Sequence, residues 1–178
     1  MSGNELGVGE SQRSSRNVWT NGMLFRCQVS ACSDFFKIPG VMVQMHYLVY
    51  DKDIGTTIPT INDIFDWAHQ TNLNSYVVKR TESDRFRIVR KWKTSIISSG
   101  TPAFNQQTYK AGTQYGTTMP MNKYFKNLKI FSEFKDVATG SYVSLKSGGL
   151  LYVCVNDYAS SNTYWATVGG ICRVYFNG

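Results

Sequence analysis

Charge is scarce in this chain. Only 17% of its 178 residues are Asp, Glu, Lys or Arg, against about 25% in an average globular domain, which argues against a coiled coil, an acidic disordered chain or a helical repeat. There are two histidines, His46 and His69, and four cysteines, Cys27, Cys32, Cys154 and Cys172, with no C-x-x-C pair. A closed zinc site needs four suitably spaced ligands, and these spacings match no finger. No metal or other cofactor is expected, and the cysteines read as reduced core residues. No apolar run approaches the roughly 18 residues of a membrane span, and the N-terminus lacks the apolar segment of a secretory signal. A soluble chain with no export address and no membrane insertion is expected.

Catalytic groups are equally sparse. A nucleophile needs a base beside it; His46 lies inside a strongly apolar strand pattern and His69 ends a short helical one, so both read as structural or surface histidines. Gly7-Val8-Gly9 has no strand before it, so it offers no helix N-terminus to cradle phosphate. Asp51 and Asp53 flank Lys52 near Gly55, and turn chemistry explains them. A non-enzymatic protein is expected.

What the chain does have is a core. Hydrophobic residues make up 42% and aromatics 14%, enough for one domain of this length to fold without disulfides or metal. Residues 1–22, rich in Gly, Ser, Asn and Arg, read as a polar arm, and 23–178 as the folded domain. From Met23 to Ala31 apolar and polar residues alternate, the period of a half-buried strand. Val41 to Tyr50 is apolar on both parities, as in a strand covered on two faces. Thr60 with Asp63 forms a capping pattern, and Ile61, Ile64, Phe65 and Ala68 predict two or three turns of helix. Tyr76–Arg80 and Arg85–Ile97 around Thr81–Asp84 predict a hairpin, and Ser98–Asn122 a long loop. Strands follow at Asn127–Phe134, Leu150–Asn156 and Ile171–Phe176, with an extra piece at Thr163–Val168. Many strands, one short helix in a connection and uneven loops predict an all-β, antiparallel jelly-roll sandwich.

The net charge of +7 is concentrated in two segments. Lys79 to Lys93 carries seven basic residues against Glu82 and Asp84, and Lys123 to Lys135 carries four against Glu133. In a regular strand Arg85, Arg87, Val89, Lys91 and Lys93 share one face, and Phe86, Ile88, Arg90 and Trp92 the other. Cations spaced about 6 to 7 Å apart can follow a single-stranded phosphate backbone; a solvated sheet face is the plainer alternative. Lys123, Lys126 and Lys129 extend the path or are ordinary surface lysines.

Several stretches together resemble one family. They are Tyr47-Leu48-Val49-Tyr50-Asp51 followed by a Gly- and Pro-bearing turn and Ile61 to Phe65; Arg85-Phe86; Val89-Arg90-Lys91-Trp92; Lys123 to Phe134; Leu150-Leu151-Tyr152-Val153; and Arg173-Val174-Tyr175-Phe176. In order and spacing, from about Arg16 onward, they resemble geminivirus coat proteins, especially the grass-infecting mastrevirus type. The resemblance implies a jelly-roll subunit of a small icosahedral or twinned capsid around circular single-stranded DNA. It places Arg87, Arg90, Lys91 and Lys93 in the family's basic strand and Lys123, Lys126 and Lys129 in its second basic stretch; Arg85 joins them from the charge pattern. The implied partners are further copies of the chain, single-stranded DNA and a host receptor or vector factor, and the implied locations are the virion and the host nucleus. Family members usually begin with an Arg/Lys-rich arm and a first jelly-roll strand, and this chain is expected to start just past both, which leaves nuclear import without its usual signal. The alternatives are a carbohydrate- or receptor-binding sandwich, with Trp67, Trp165 and the Thr/Gln-rich loop as a sugar platform, and a cellular single-strand-binding protein.

Overall fold

The computed structural model describes residues 15–31, 35, 40–66, 76–98, 118–137, 140–156 and 166–177. Among these residues there are seven strands, β1 (Asn17–Ala31), β2 (Gly40–Asp53), β3 (Phe86–Ser98), β4 (Thr118–Phe125), β5 (Ile130–Phe134), β6 (Leu145–Asn156) and β7 (Ala166–Asn177), and one α-helix, α1 (Ile61–Ile64). Every pairing is antiparallel, in the order β3-β2-β6-β5-β1-β4, with β7 on the other edge of β1. Short β5 is the corner: it pairs with the start of β1 and with the start of β6. The sheet therefore folds over, laying β7-β1-β4 against β3-β2-β6. Phe25 of β1 meets Trp92 of β3 at 5.4 Å and Tyr152 of β6 at 5.3 Å between ring centroids, contacts between strands that share no ladder. This is the all-β sandwich expected.

The alternation of β1 buries Met23, Phe25 and Val29 against Met42, Leu48 and Ile96 between the layers. Apolar residues on both parities of β2 have their reason in a second core: Met45, Tyr47 and Val49 are buried on the far side under Ile64, Phe65 and Tyr76. Each such side chain, fully withdrawn from water, contributes about 1.5–3 kcal/mol.

Several local expectations need correction. Strand β1 begins at Asn17, inside the stretch read as an arm, because Val18 and Thr20 are buried on one parity. Helix α1 is capped as expected, Asp63 accepting from both the Thr60 N–H and hydroxyl at 2.7 Å, but it lasts one turn, because Phe65 is extended and bridges Val78. That bridge also removes the expected hairpin: Val78 pairs with Phe65, Arg80–Glu82 is a 3-10 turn, and β3 pairs with β2. Ala68, Trp67, His69 and Trp165 lie outside the described residues. Strand β4 occupies Thr118–Asn122, assigned to the loop; Pro120 masks it, yet an edge strand tolerates proline. Strand β6 begins at Leu145, earlier than the expected Leu150, and takes in Gly148 at φ 78°, where a Cβ would lie 2.1 Å from the Phe131 carbonyl oxygen. Strand β7 runs unbroken through Gly169-Gly170. Cys27 and Cys154 are free cysteines, and burial pushes the Cys154 thiol up to about 11, but Cys172, expected in the core, is exposed.

Candidate nucleic-acid interface

Arg85, the first cation of the basic strand, is committed to the fold. Its Nε and Nη2 donate to the Asp51 carboxylate at 3.0 and 3.2 Å, and Asp51 is 0% exposed. The Tyr142 hydroxyl donates to the same carboxylate, and the guanidinium lies 4.5 Å from the Phe86 ring centroid. The hydrogen bond to Asp51 raises the Arg85 pKa. Asp51 is therefore a buried ion-pair partner, not the turn residue expected.

The single cationic face does not persist along β3. Leu48 pairs with Arg90 but Val49 pairs with Ile88, so Val89 is the extra residue of a bulge and the alternation changes sides there. Before the bulge, Phe86 and Ile88 point to the outer core; after it, Lys91 and Lys93 take that side, opposite Tyr47 and Met45. Arg87 instead shares the side of its partner Tyr50, its guanidinium 5.4 Å from that ring. Arg90 donates to the Val89 carbonyl at 2.8 Å. Arg87, Arg90, Lys91 and Lys93 are all exposed, but as two groups on opposite sides of one edge strand.

The second basic segment is built by a turn between β4 and β5. Asn127 and Lys129 take left-handed conformations, φ 54° and 50°. Between them Leu128 is buried, and its N–H donates to the Asn21 carbonyl at 3.0 Å. Anchoring Leu128 leaves Lys126 and Lys129 exposed on either side of it, with Lys126 Nζ 5.5 Å from the Tyr124 ring centroid. Lys123 is exposed on β4 opposite Phe25.

The tertiary fold brings the two segments together. Strands β3 and β4 end their sheets among the described residues, and they meet across the layers where Trp92 packs on Phe125 at 4.9 Å and its Nε1 donates to the Met121 sulfur at 3.2 Å. Two exposed arginines were missed from sequence, Arg26 of β1 and Arg173 of β7. The alternation of β1 already pointed Arg26 outward; only the β1–β7 register sets Arg173 on the same face.

His46 is structural. It hydrogen-bonds with the Tyr152 hydroxyl at 2.7 Å and Thr94 Oγ1 at 2.8 Å, stacks on Trp92, and burial lowers its pKa to about 4. Among the described residues no group of three His, Cys, Asp or Glu side chains could hold a metal ion, and no helix is long and apolar enough to cross a membrane.

Comparison with known proteins gives this arrangement its context. A family model described as "Geminivirus coat protein/nuclear export factor BR1 family" matches residues 1–178. The capsid protein of Beet curly top virus (strain California/Logan) is 35% identical over 173 residues, 96% of this chain and 68% of the relative. That of Miscanthus streak virus (isolate 91) is 31% identical over 153 residues, 84% and 59%, and that of Tobacco yellow dwarf virus (strain Australia) 28% over 176 residues, 96% and 66%. The chain thus spans roughly 60 to 70% of the length of these relatives. A family match from end to end, on a strand sandwich whose basic segments meet at two edges, settles the family: the chain belongs to the geminivirus coat proteins.

Proposed function

We propose that this chain is the β-sandwich of a capsid subunit that associates with copies of itself and holds single-stranded DNA along the paired basic edges of β3 and β4. The observation that supports this most directly is the packing of Trp92 on Phe125, which brings β3 against β4 although about thirty residues of sequence separate their basic segments; Arg90 shares the Trp92 side of β3, and Lys91 and Lys93 the other. Exposed cations on adjacent edges supply strength through phosphate contact and little base readout. The role is structural rather than enzymatic, and the virion is its location, with assembly in the host nucleus. A host receptor or vector factor would meet the outside of the assembled shell.

Phosphate contact by about four to seven cations gives single-stranded DNA affinity a slope of roughly −3 to −5 against log salt. Lys93→Glu should weaken binding to every sequence, and more than Lys52→Glu, an equal charge change at an exposed lysine of β2 outside both segments. Equal losses from the two variants would reduce the basic edge to a solvated surface. Light scattering tests self-association; a strict monomer at high concentration in both low and high salt would count against shell formation by this chain.

A further inference from the structure

The outer face of the β7-β1-β4 layer carries features that the fold does not use. Across it the ladders align residues in rows: Leu24 sits between Tyr124 and Arg173, and Arg26 between Asn122 and Ile171. The next rows, centred on Gln28 and Ser30, are polar or glycine apart from Pro120. No Asp or Glu occurs in any of these rows, so the arginines meet no carboxylate there. At the Leu24 end, Tyr124 and Tyr175 are 50% and 39% exposed and pack edge to face at 5.6 Å. Gly22 pairs with Tyr175 beside them, and a Cβ there would lie 3.1 Å from the Phe125 carbonyl oxygen and in ordinary contact, at 3.4 Å, with the Tyr124 ring. Lys126 closes the cluster over the Tyr124 ring.

At the other end of the face is a groove of about 730 Å³ bordered by Arg26, Gln28, Asn122 and Thr118, with Gly169 in its lining. Bare backbone forms that part of the floor: a Cβ on Gly169 would meet nothing within 4 Å. Six residues of strand separate Tyr175 from Gly169, roughly 20 Å, the reach of a few nucleotides.

We propose that this face is a second contact surface for single-stranded DNA, with Tyr124 and Tyr175 stacking on bases, Arg26, Arg173 and Lys126 holding phosphates, and the Gly169 groove receiving the strand as it leaves the tyrosines. The inference rests on the DNA-binding reading above. Charge selects the occupant, since an acid-free face with three cations suits a polyanion. The exposed rings select a single strand, because stacking on tyrosine needs unpaired bases.

The test uses the full chain and an oligothymidylate containing 5-iodouracil. After ultraviolet cross-linking, adducts are expected on Tyr124 or Tyr175. The double variant Tyr124→Leu/Tyr175→Leu should lose about tenfold or more in affinity, while Tyr124→Phe/Tyr175→Phe, which keeps the rings, should retain it. Arg26→Gln/Arg173→Gln should make the salt slope shallower by about 1.4. All four substituted positions are exposed, and melting curves check that the variants remain folded. Adducts confined to β3 and the β4–β5 turn, together with unchanged affinity of the leucine pair, would overturn this surface and leave the DNA-binding reading intact. Failure of the unsubstituted chain to bind the oligonucleotide at low salt would overturn both.

Discussion

Arg85→Ala separates a structural cation from its neighbours in the basic strand. The substitution deletes two hydrogen bonds to Asp51 and leaves a carboxylate that is 0% exposed with the Tyr142 hydroxyl as its side-chain donor. Removing one partner of a buried ion pair costs about 3–5 kcal/mol, because the charge left behind has lost its compensation. The Arg85 side chain is 29% exposed, so water screens part of the pair and the lower end, about 3 kcal/mol, is expected. For a domain of this size that lowers Tm by roughly 6–12 °C. Two assays run in parallel on the same preparations. Urea or thermal melts should show the loss in full for Arg85→Ala and little for Lys93→Ala; the salt slope of single-stranded DNA binding should be unchanged in Arg85→Ala and shallower by about 0.7 in Lys93→Ala. Asp51→Asn, which removes the buried charge, should recover part of the stability when combined with Arg85→Ala. An Arg85→Ala protein that melts like the parent, or whose salt slope falls as far as that of Lys93→Ala, would refute the assignment of Arg85 to the fold.

Two further outcomes follow from buried groups and close approaches. His46 is held neutral by burial, its pKa lowered from 6.5 to about 4; the unfolded chain therefore takes up its proton first, so this contribution is full above pH 6.5 and lost as pH falls to about 4. It amounts to about 3 kcal/mol, and the difference in stability between the parent and His46→Gln, followed by urea melts from pH 7 to 4, should change by that amount; a constant difference would contradict it. Adjacent glycines of β7 should behave oppositely: Gly170→Ala brings a Cβ within 2.4 Å of the Arg26 carbonyl oxygen at φ 141° and should cost about 2 kcal/mol or more, while Gly169→Ala enters open space and should change stability by about 0.5 kcal/mol or less, as melts of the two variants would show.

Local pattern determined what needs only neighbours in the chain. The alternation of β1, the apolar character of β2 on both parities, the Thr60–Asp63 cap and the two basic segments are all written in consecutive residues, because strand and helix periods and capping chemistry act over a few positions. Tertiary structure decided what depends on a partner strand. The bulge at Val89 arises in the pairing of β3 with β2, and it turns one expected row of cations into two groups on opposite sides. Arg85 looks like its basic neighbours in sequence, yet folding sets it beside Asp51, thirty-four residues away, where a buried carboxylate demands it. Strand β4 was hidden by Pro120, which an edge position excuses, and β7 by Gly169-Gly170, where Gly170 lets two backbones approach closely. Arg26 and Arg173 became neighbours only through the β1–β7 register. Which cations are spent on the fold and which are left to meet a ligand is a property of cross-strand contacts, and a sequence read along its own length contains the residues but not those contacts.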